Sequence, residues 1–419
     1  MGQETVRGPG GSRSLPVGKI SARSLTPPHR AHHRSGRSPA APANAPGIAS
    51  RKAPVGRGIA APLPPGTAVT ITSSSSVPSP PAGYRELRQG IAWGDLGPRS
   101  AVVVSGDDAV GFVDAFCTAP ISRLAPRSGS EAFFLDARGQ VLLWGTVFRG
   151  ADGVWIDSDP APSGDGSAAW SLAAHLDRYH IRERLRVTEA AAGLGWLLVG
   201  GPGAGEWLER AGAAVPAAPF GHEAERTAAL AEGEFPARCA GVQAAVFRGS
   251  WGGEGSFLIV VPEGEREALV GRFLDDGITQ ASPEAIDAVR REDGRPSPAD
   301  ILPRTLAQEL GRDRAAIAFD KGCYLGQETV ARLDALGHVN RRLVGVHGGG
   351  VDVPRAGAHV EVEGDADAVG VVTSVGPSPR HGGWLGLALV RVTALRPGVA
   401  WRVAGEAARQ VVLGAMEDR

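Results

Sequence analysis

The densest cluster of reactive side chain types in this sequence is FDKGCYLGQETVAR, Phe319–Arg332, where Lys321 stands two residues before Cys323 and Tyr324 directly after it. Lys321 is the only lysine after Lys52, and every other Lys/Arg position in that span is arginine. A thiol reacts, or binds a metal, as its thiolate, and a nearby cation or helix N-terminus lowers its pKa. This stretch offers both. Lys321 supplies a compact ammonium rather than a planar guanidinium. A helix is expected to begin near Gly326, with Val330, Leu333 and Leu336 on one face. Gln327 and Glu328 then fall in its first turn, where the helix dipole favours an acid. A Glu328–Arg332 pair at i, i+4 would add only about 0.3–0.5 kcal/mol. The chemistry these residues suggest is that of a reactive thiolate at Cys323.

Other candidates read more simply as structure. GGPGAG, Gly200–Gly205, follows a strand and precedes a helix, as a phosphate cradle would, but the lysine and Ser/Thr of a P-loop are missing. Asp177 and His180 share a helix face that reads as solvated. His338, His347, His359 and His381 lack ligand spacing, so no metal site is assigned. Cys117 and Cys239 read as small core hydrophobes. The three cysteines form no close pair, which disfavours a disulfide framework and fits a reducing, cytoplasmic compartment.

The elements that must hold the thiol follow from periodicity. Residues 1–83 contain ten Lys/Arg, one acid, 14 of the 32 prolines and no Phe, Trp or Tyr. Such a segment cannot bury enough apolar surface to offset its ordering entropy, and it reads as a disordered extension. The remainder carries 34 basic and 44 acidic residues, a net of −10, which disfavours a nucleic-acid partner. No apolar run is long enough to span a membrane. SAVVVSGDDAVGFVDAF (Ser100–Phe116) reads as strand, turn and helix, with Asp107 or Asp108 as N-cap. Glu131–Asp159 reads as a three-stranded meander and Ser171–Ile181 as a helix. Gly195–Gly212, Val242–Pro262 and Glu265–Gly277 repeat the plan as strand–turn–helix, hairpin and helix. Short strands separated by Gly/Pro turns after Arg342 predict a small β-barrel. The fold class is α+β: a first α+β domain at 84–190, a second at 191–340 that ends in the cysteine motif, and a barrel at 341–419.

The stretch KGCYLGQETVARLDALGHVNRRLVG, Lys321–Gly345, resembles the K-G-C-Y-x-G-Q-E signature of YgfZ-type folate-binding proteins, relatives of the glycine-cleavage aminomethyltransferase (T-protein). Ala288–Glu309 resembles the segment that precedes that signature. The resemblance covers Tyr84 to the C-terminus. It implies two related split α+β domains and a barrel in a ring around a folate-sized cleft. It also implies tetrahydrofolate or a derivative as cofactor, and iron–sulfur client enzymes or assembly proteins as partners, with an indirect effect on tRNA modification. By the same resemblance Cys323 is the key functional residue, with Lys321 beside it. Glu292 maps to the pterin-contacting glutamate, and Arg290, Tyr324, Gln327 and Glu328 take matching ligand-side places. A glutamate suits a pterin because its carboxylate accepts paired hydrogen bonds from the amino-pyrimidine edge.

One departure bears on activity. Aminomethyltransferases carry an acid a few residues after a glycine in the first domain, whereas GQVLLWGTV, Gly139–Val147, has none. Aminomethyl transfer is therefore not expected. Three functions compete: a folate-dependent accessory factor acting through Cys323, an aminomethyltransferase of the T-protein type, and a folate-free interaction module.

Overall fold

The computed structural model describes residues 79–414 except 161–169, 191, 225, 236, 250, 252, 254 and 365–366. The expected disordered extension lies almost wholly outside the described residues. The chain enters through helix α1 (Tyr84–Gln89) and strand β1 (Ala92–Asp95). SAVVVSGDDAVGFVDAF then forms β2 (Ser100–Ser105) and α2 (Ala109–Phe116). Asp108 takes the N-cap position of α2, but its carboxylate accepts from the Arg184 N–H (2.7 Å) rather than from the helix. The meander forms as β3 (Ser128–Leu135), β4 (Val141–Arg149) and β5 (Gly153–Ser158). Helix α3 (Leu172–Asp177) follows, and the Ser171 hydroxyl caps it by accepting from the Ala174 N–H at 3.0 Å. With β6 (Arg186–Glu189), these strands make an antiparallel sheet in the order β3-β4-β5-β2-β6. Phe112, Val113, Leu172 and Leu176 from the helices join Val102, Phe134, Val147 and Ile156 in one buried cluster.

The second unit runs through β7 (Leu194–Gly200), α4 (Ala204–Arg210), α5 (Thr227–Ala231), β8 (Ala237–Cys239), β9 (Val242–Gly249) and β10 (Ser256–Pro262). It continues with α6 (Glu263–Asp275), β11 (Thr279–Gln280) and α7 (Pro283–Glu292). Its sheet has the order β11-β1-β7-β10-β9-β8. β1, from the segment expected in the first domain, belongs to this second sheet. β1 pairs antiparallel with β7 and parallel with β11, and Trp93 on β1 stacks on Phe273 of α6 with centroids 5.3 Å apart. The indole finds its apolar partner on the second unit, so sequence proximity to the first does not decide its place. Between the sheets, Phe148 and Trp155 meet Phe247 at 4.7 and 5.8 Å within a shared core.

After α7 the chain returns to the first sheet. Short turns lead to α8 (Asp313–Ala316), the cysteine loop and α9 (Gln327–Leu336). Leu310, Ile317 and Tyr324 pack with Phe133, Leu135 and Trp144. The remaining strands are β12 (Arg341–Gly348), β13 (His359–Val362), β14 (Gly370–Pro377), β15 (Trp384–Arg391), β16 (Trp401–Val403) and β17 (Glu406–Val411). They close a barrel in the order β12-β15-β14-β13-β16-β17, filled by Val346, Val372, Trp384, Val390 and Trp401. Closure pairs every strand edge. The expected α+β fold with a C-terminal barrel is thus the observed one. Among the described residues no helix is long and apolar enough to cross a membrane.

Candidate functional site

Cys323 is an exposed free thiol on the loop between α8 and α9. Its neighbours hold that loop. The Leu325 N–H donates to Ala115 O at 3.0 Å, and the Ala318 N–H donates to Thr118 O at 2.9 Å. Tyr324 is buried, and burial, with a smaller contribution from Cys117, pushes its hydroxyl up to about 12. Gly326 has φ +82°, and a Cβ there would lie 2.7 Å from the Asp136 carbonyl of the β3–β4 turn, so the position requires glycine.

Lys321 has a different role from the expected one. It is buried, and its ammonium donates to the carbonyls of Asp114 (2.5 Å), Cys117 (3.0 Å) and Ala119 (2.7 Å). Asp114 Oδ1 lies 3.4 Å away and the Tyr324 ring centroid 5.2 Å away. An ammonium has three donors, and three carbonyls take them. Lys321 therefore closes the C-terminal end of α2, where carbonyls lack helical partners. A planar guanidinium cannot converge three donors from one atom, which accounts for a lysine here. The thiol beneath this ammonium is Cys117, which burial pushes up to about 12 while Lys321 pulls the other way.

Gln327 is half-buried and Glu328 exposed in the first turn of α9. Leu336 is exposed, so the expected apolar face of α9 reduces chiefly to Val330. GGPGAG proves to be a packed turn: the Gly203 N–H donates to Gly90 O (3.0 Å), and a Cβ on Gly201 would lie 2.5 Å from the same oxygen.

Two cavities lie near α7. The larger, of about 510 Å³, is lined by Arg88, Phe220, Arg248, Asp293, Arg295 and Arg380 among others. The smaller, of about 90 Å³, shares Arg295 and is lined by Arg99, Trp144, Asp157, Asp159, Trp251 and Arg290 among others. Only the larger falls in the ~300–1,000 Å³ range of small-molecule sites. Neither is lined by Cys323, Lys321, Glu292, Tyr324, Gln327 or Glu328.

The pterin contact expected of Glu292 is not open in this structure. Glu292 Oε2 accepts from the Tyr84 hydroxyl (2.6 Å) and Arg88 Nη2 (2.8 Å), while Oε1 accepts from the Ser378 hydroxyl (2.7 Å) and the Arg380 N–H (3.1 Å). A carboxylate has about four acceptor sites, and protein donors take them here. Burial favours the neutral acid, but these four donors outweigh it and hold the carboxyl below its ordinary value. The neighbouring Asp293 does line the larger cavity, with Oδ1 accepting from Arg88 Nη1 at 2.7 Å. The sequence reading missed it. The available signal was its place at the C-cap of α7, where the chain turns and the side chain leaves the face that Glu292 occupies.

Arg290 does reach the smaller cavity, but its Nε is bonded to Asp287 (2.7 Å) and its Nη1 to Arg295 O (2.6 Å) and Asp300 (3.1 Å). In the window that lacks an acid, Trp144 faces that cavity with the Arg295 guanidinium 5.0 Å from its ring centroid. Acids do occur on and just after β5. Asp157 is held by Arg99 at 2.9 and 2.8 Å and by the Trp251 indole at 3.2 Å, and Asp159 by Arg99 at 2.5 Å. Burial would raise Asp159, but the Arg99 charge prevails and lowers it. Among the described residues no cluster of His, Cys, Asp and Glu could hold a metal.

Residues 78–321 match the GCVT N-terminal domain and residues 341–412 the glycine cleavage T-protein C-terminal barrel domain. The chain is 26% identical over 317 residues to the aminomethyltransferase of Herpetosiphon aurantiacus, covering 76% of this chain and 83% of that protein. It is 25% identical over 307 residues to the Aspergillus fumigatus protein named iron-sulfur cluster assembly factor IBA57 homolog, mitochondrial, covering 68% and 62%. The crystal structure of the glycine cleavage system aminomethyltransferase T from Bartonella henselae shares the fold, with a TM-score of 0.66 at 22% identity over 80% of this chain and 89% of that one. A two-part domain match over most of the described length, on a fold with the same barrel, places the chain in the glycine cleavage T-protein family.

Proposed function

We propose that this chain is a YgfZ-type member of the family: a cytoplasmic, folate-binding accessory protein that supports assembly or repair of iron–sulfur enzymes and, through them, tRNA modification. One observation carries the reading. The loop from Lys321 to Gly326 is fixed by buried cation, ring and backbone contacts, and it presents a single exposed thiol, Cys323. A fixed mount for an exposed free thiol suits sulfur or cluster-related chemistry better than packing. The relatives named as iron–sulfur cluster assembly factors support it. With one such cysteine per chain, a cluster would need ligands from a partner as well.

The larger cavity fits a tetrahydrofolate-type ligand in volume, with Phe220 as an aromatic wall and Asp293 as the carboxylate available to an amino-pyrimidine edge. When bound, the folate would supply one-carbon or reducing chemistry. This chain's residues would bind and orient it. Complementation in a strain lacking the protein tests the role of the thiol: Cys323→Ser is expected to fold normally and fail to restore iron–sulfur enzyme activity. Full restoration would reject the proposal. Quenching of tryptophan fluorescence by tetrahydrofolate tests the ligand.

The aminomethyltransferase reading is favoured by relatives of that name. Against it, the acids that line the smaller cavity with Trp144, Asp157 and Asp159, are ion-paired with Arg99 and so unsuited to act as free bases. No methylene-tetrahydrofolate is expected from an aminomethyl-lipoyl carrier.

A further inference from the structure

We propose that the outer face of α2 is a docking groove for a partner protein, which lays an apolar residue flanked by lysine or arginine into it. The hollow there, of about 480 Å³, shares no lining residue with either cavity near α7. Asp108, Gly111, Phe112, Ala115 and Phe116 follow one stripe of the helix, and Tyr179 joins them from the segment after α3. The floor is aromatic. Ring centroids of Phe112 and Phe116 lie 4.8 Å apart, and those of Phe116 and Tyr179 4.9 Å. Phe116 and Tyr179 are only half-buried against the core of the first sheet. Gly111 stands in the middle of this face. A glycine inside a helix costs about 1 kcal/mol relative to alanine. Neither conformation nor crowding requires one here, because the position is helical and a Cβ would meet nothing within 4 Å. What the glycine leaves is depth, a place where another chain can approach the helix backbone.

Charge selects the occupant. Asp107, Asp108 and Glu183 line the hollow, and Arg184 pairs with the first two at 3.2 and 3.6 Å, so one guanidinium offsets three carboxylates. Glu183 stays charged, because the Arg182 and Ile181 N–H groups donate to it, both at 3.0 Å, and lower its pKa to about 2. Aromatic faces rimmed by carboxylates attract ammonium and guanidinium groups and disfavour acidic chains. Ile181, 86% exposed beside Glu183, extends the apolar surface. Ala115 lines the hollow, and its carbonyl accepts from the Leu325 N–H of the cysteine loop at 3.0 Å. A partner seated on α2 is thereby held next to the loop that carries Cys323.

The test pans a phage-displayed random peptide library on the full chain. Enriched peptides are then measured by fluorescence anisotropy on the wild type, Gly111→Leu and Asp107→Lys. Leucine favours a helix over glycine, so Gly111→Leu should melt no lower than the wild type while it fills the groove. The enriched peptides are expected to carry lysine or arginine beside an apolar residue and to bind more weakly as salt rises. Either variant should weaken them about tenfold or more. An acidic or uncharged consensus, affinity unchanged in both variants, or no enrichment would overturn the proposal. Spermidine that displaces the peptide and alone binds as tightly would overturn it in favour of a small amine ligand. Self-association of the wild type that Gly111→Leu abolishes would overturn it in favour of a second copy of this chain. None of these results bears on complementation by Cys323→Ser, so the groove and the thiol reading fail separately.

Discussion

At the scale of single residues, Lys321 shows how a reasonable chemical reading gives way to geometry. Its isolation in an arginine-rich sequence pointed to function. Its three carbonyl partners call for a tetrahedral donor in a narrow place. Lys321→Met would leave those carbonyls unsatisfied and is expected to destabilise the protein by about 3 kcal/mol, measured by urea denaturation. Lys321→Arg should fail to rescue fully, because a guanidinium cannot converge on the same point. The reactive-thiol reading of Cys323 was legible from the residue types around it, and the thiol is exposed while the adjacent Tyr324 is buried. The side on which Lys321 lies was not legible, because its partners are more than 200 residues away in the chain. Glu292 and Asp293 make the same point. Adjacent carboxylates look alike in sequence, and only the end of α7 decides which one is sealed and which one lines a cavity.

At the scale of elements, the strands and helices were readable from period and caps. The β3–β5 meander, the β9–β10 hairpin and the barrel strands all arise where alternation and turn residues put them. What periodicity could not reveal was how the two sheets join. His222 belongs to that junction. It stacks on Phe247 at 5.6 Å, meets Phe148 edge-on, and its Nε2 lies 2.9 Å from Arg149 O. Burial, reinforced by Arg127, lowers its pKa to about 4. The unfolded chain then binds a proton near 6.5 that the folded one refuses until about pH 4. Its contribution is therefore fully present above pH 6.5 and lost as pH falls through that window, on the order of 3 kcal/mol. Thermal melts of wild type and His222→Phe from pH 7 to 4 should converge in slope if another group dominates. A shallower loss in the variant is the expected result.

At the scale of the whole molecule, buried charge ties parts of the described body together. Glu292 binds α1 through Tyr84 and Arg88 and the barrel through Ser378 and Arg380. Asp300 likewise reaches Thr373 at 2.5 Å and Arg290 at 3.1 Å. Glu292→Ala would leave the Tyr84 and Ser378 hydroxyls and Arg88 Nη2 without this acceptor, while Arg88 keeps Asp293, and is expected to cost about 1–3 kcal/mol, with faster amide exchange around residues 378–383 as the specific sign. Because the folded carboxyl is held below its ordinary value, the wild type should also lose this stabilisation as pH falls through the carboxylate range, and the alanine variant should not. The insertion of β1 between β11 and β7 has a separate outcome for anyone dissecting the gene. A fragment starting at residue 191 would leave the Leu197–Val199 edge unzipped, and such a fragment should precipitate unless a peptide spanning 84–95 is added back to complete it.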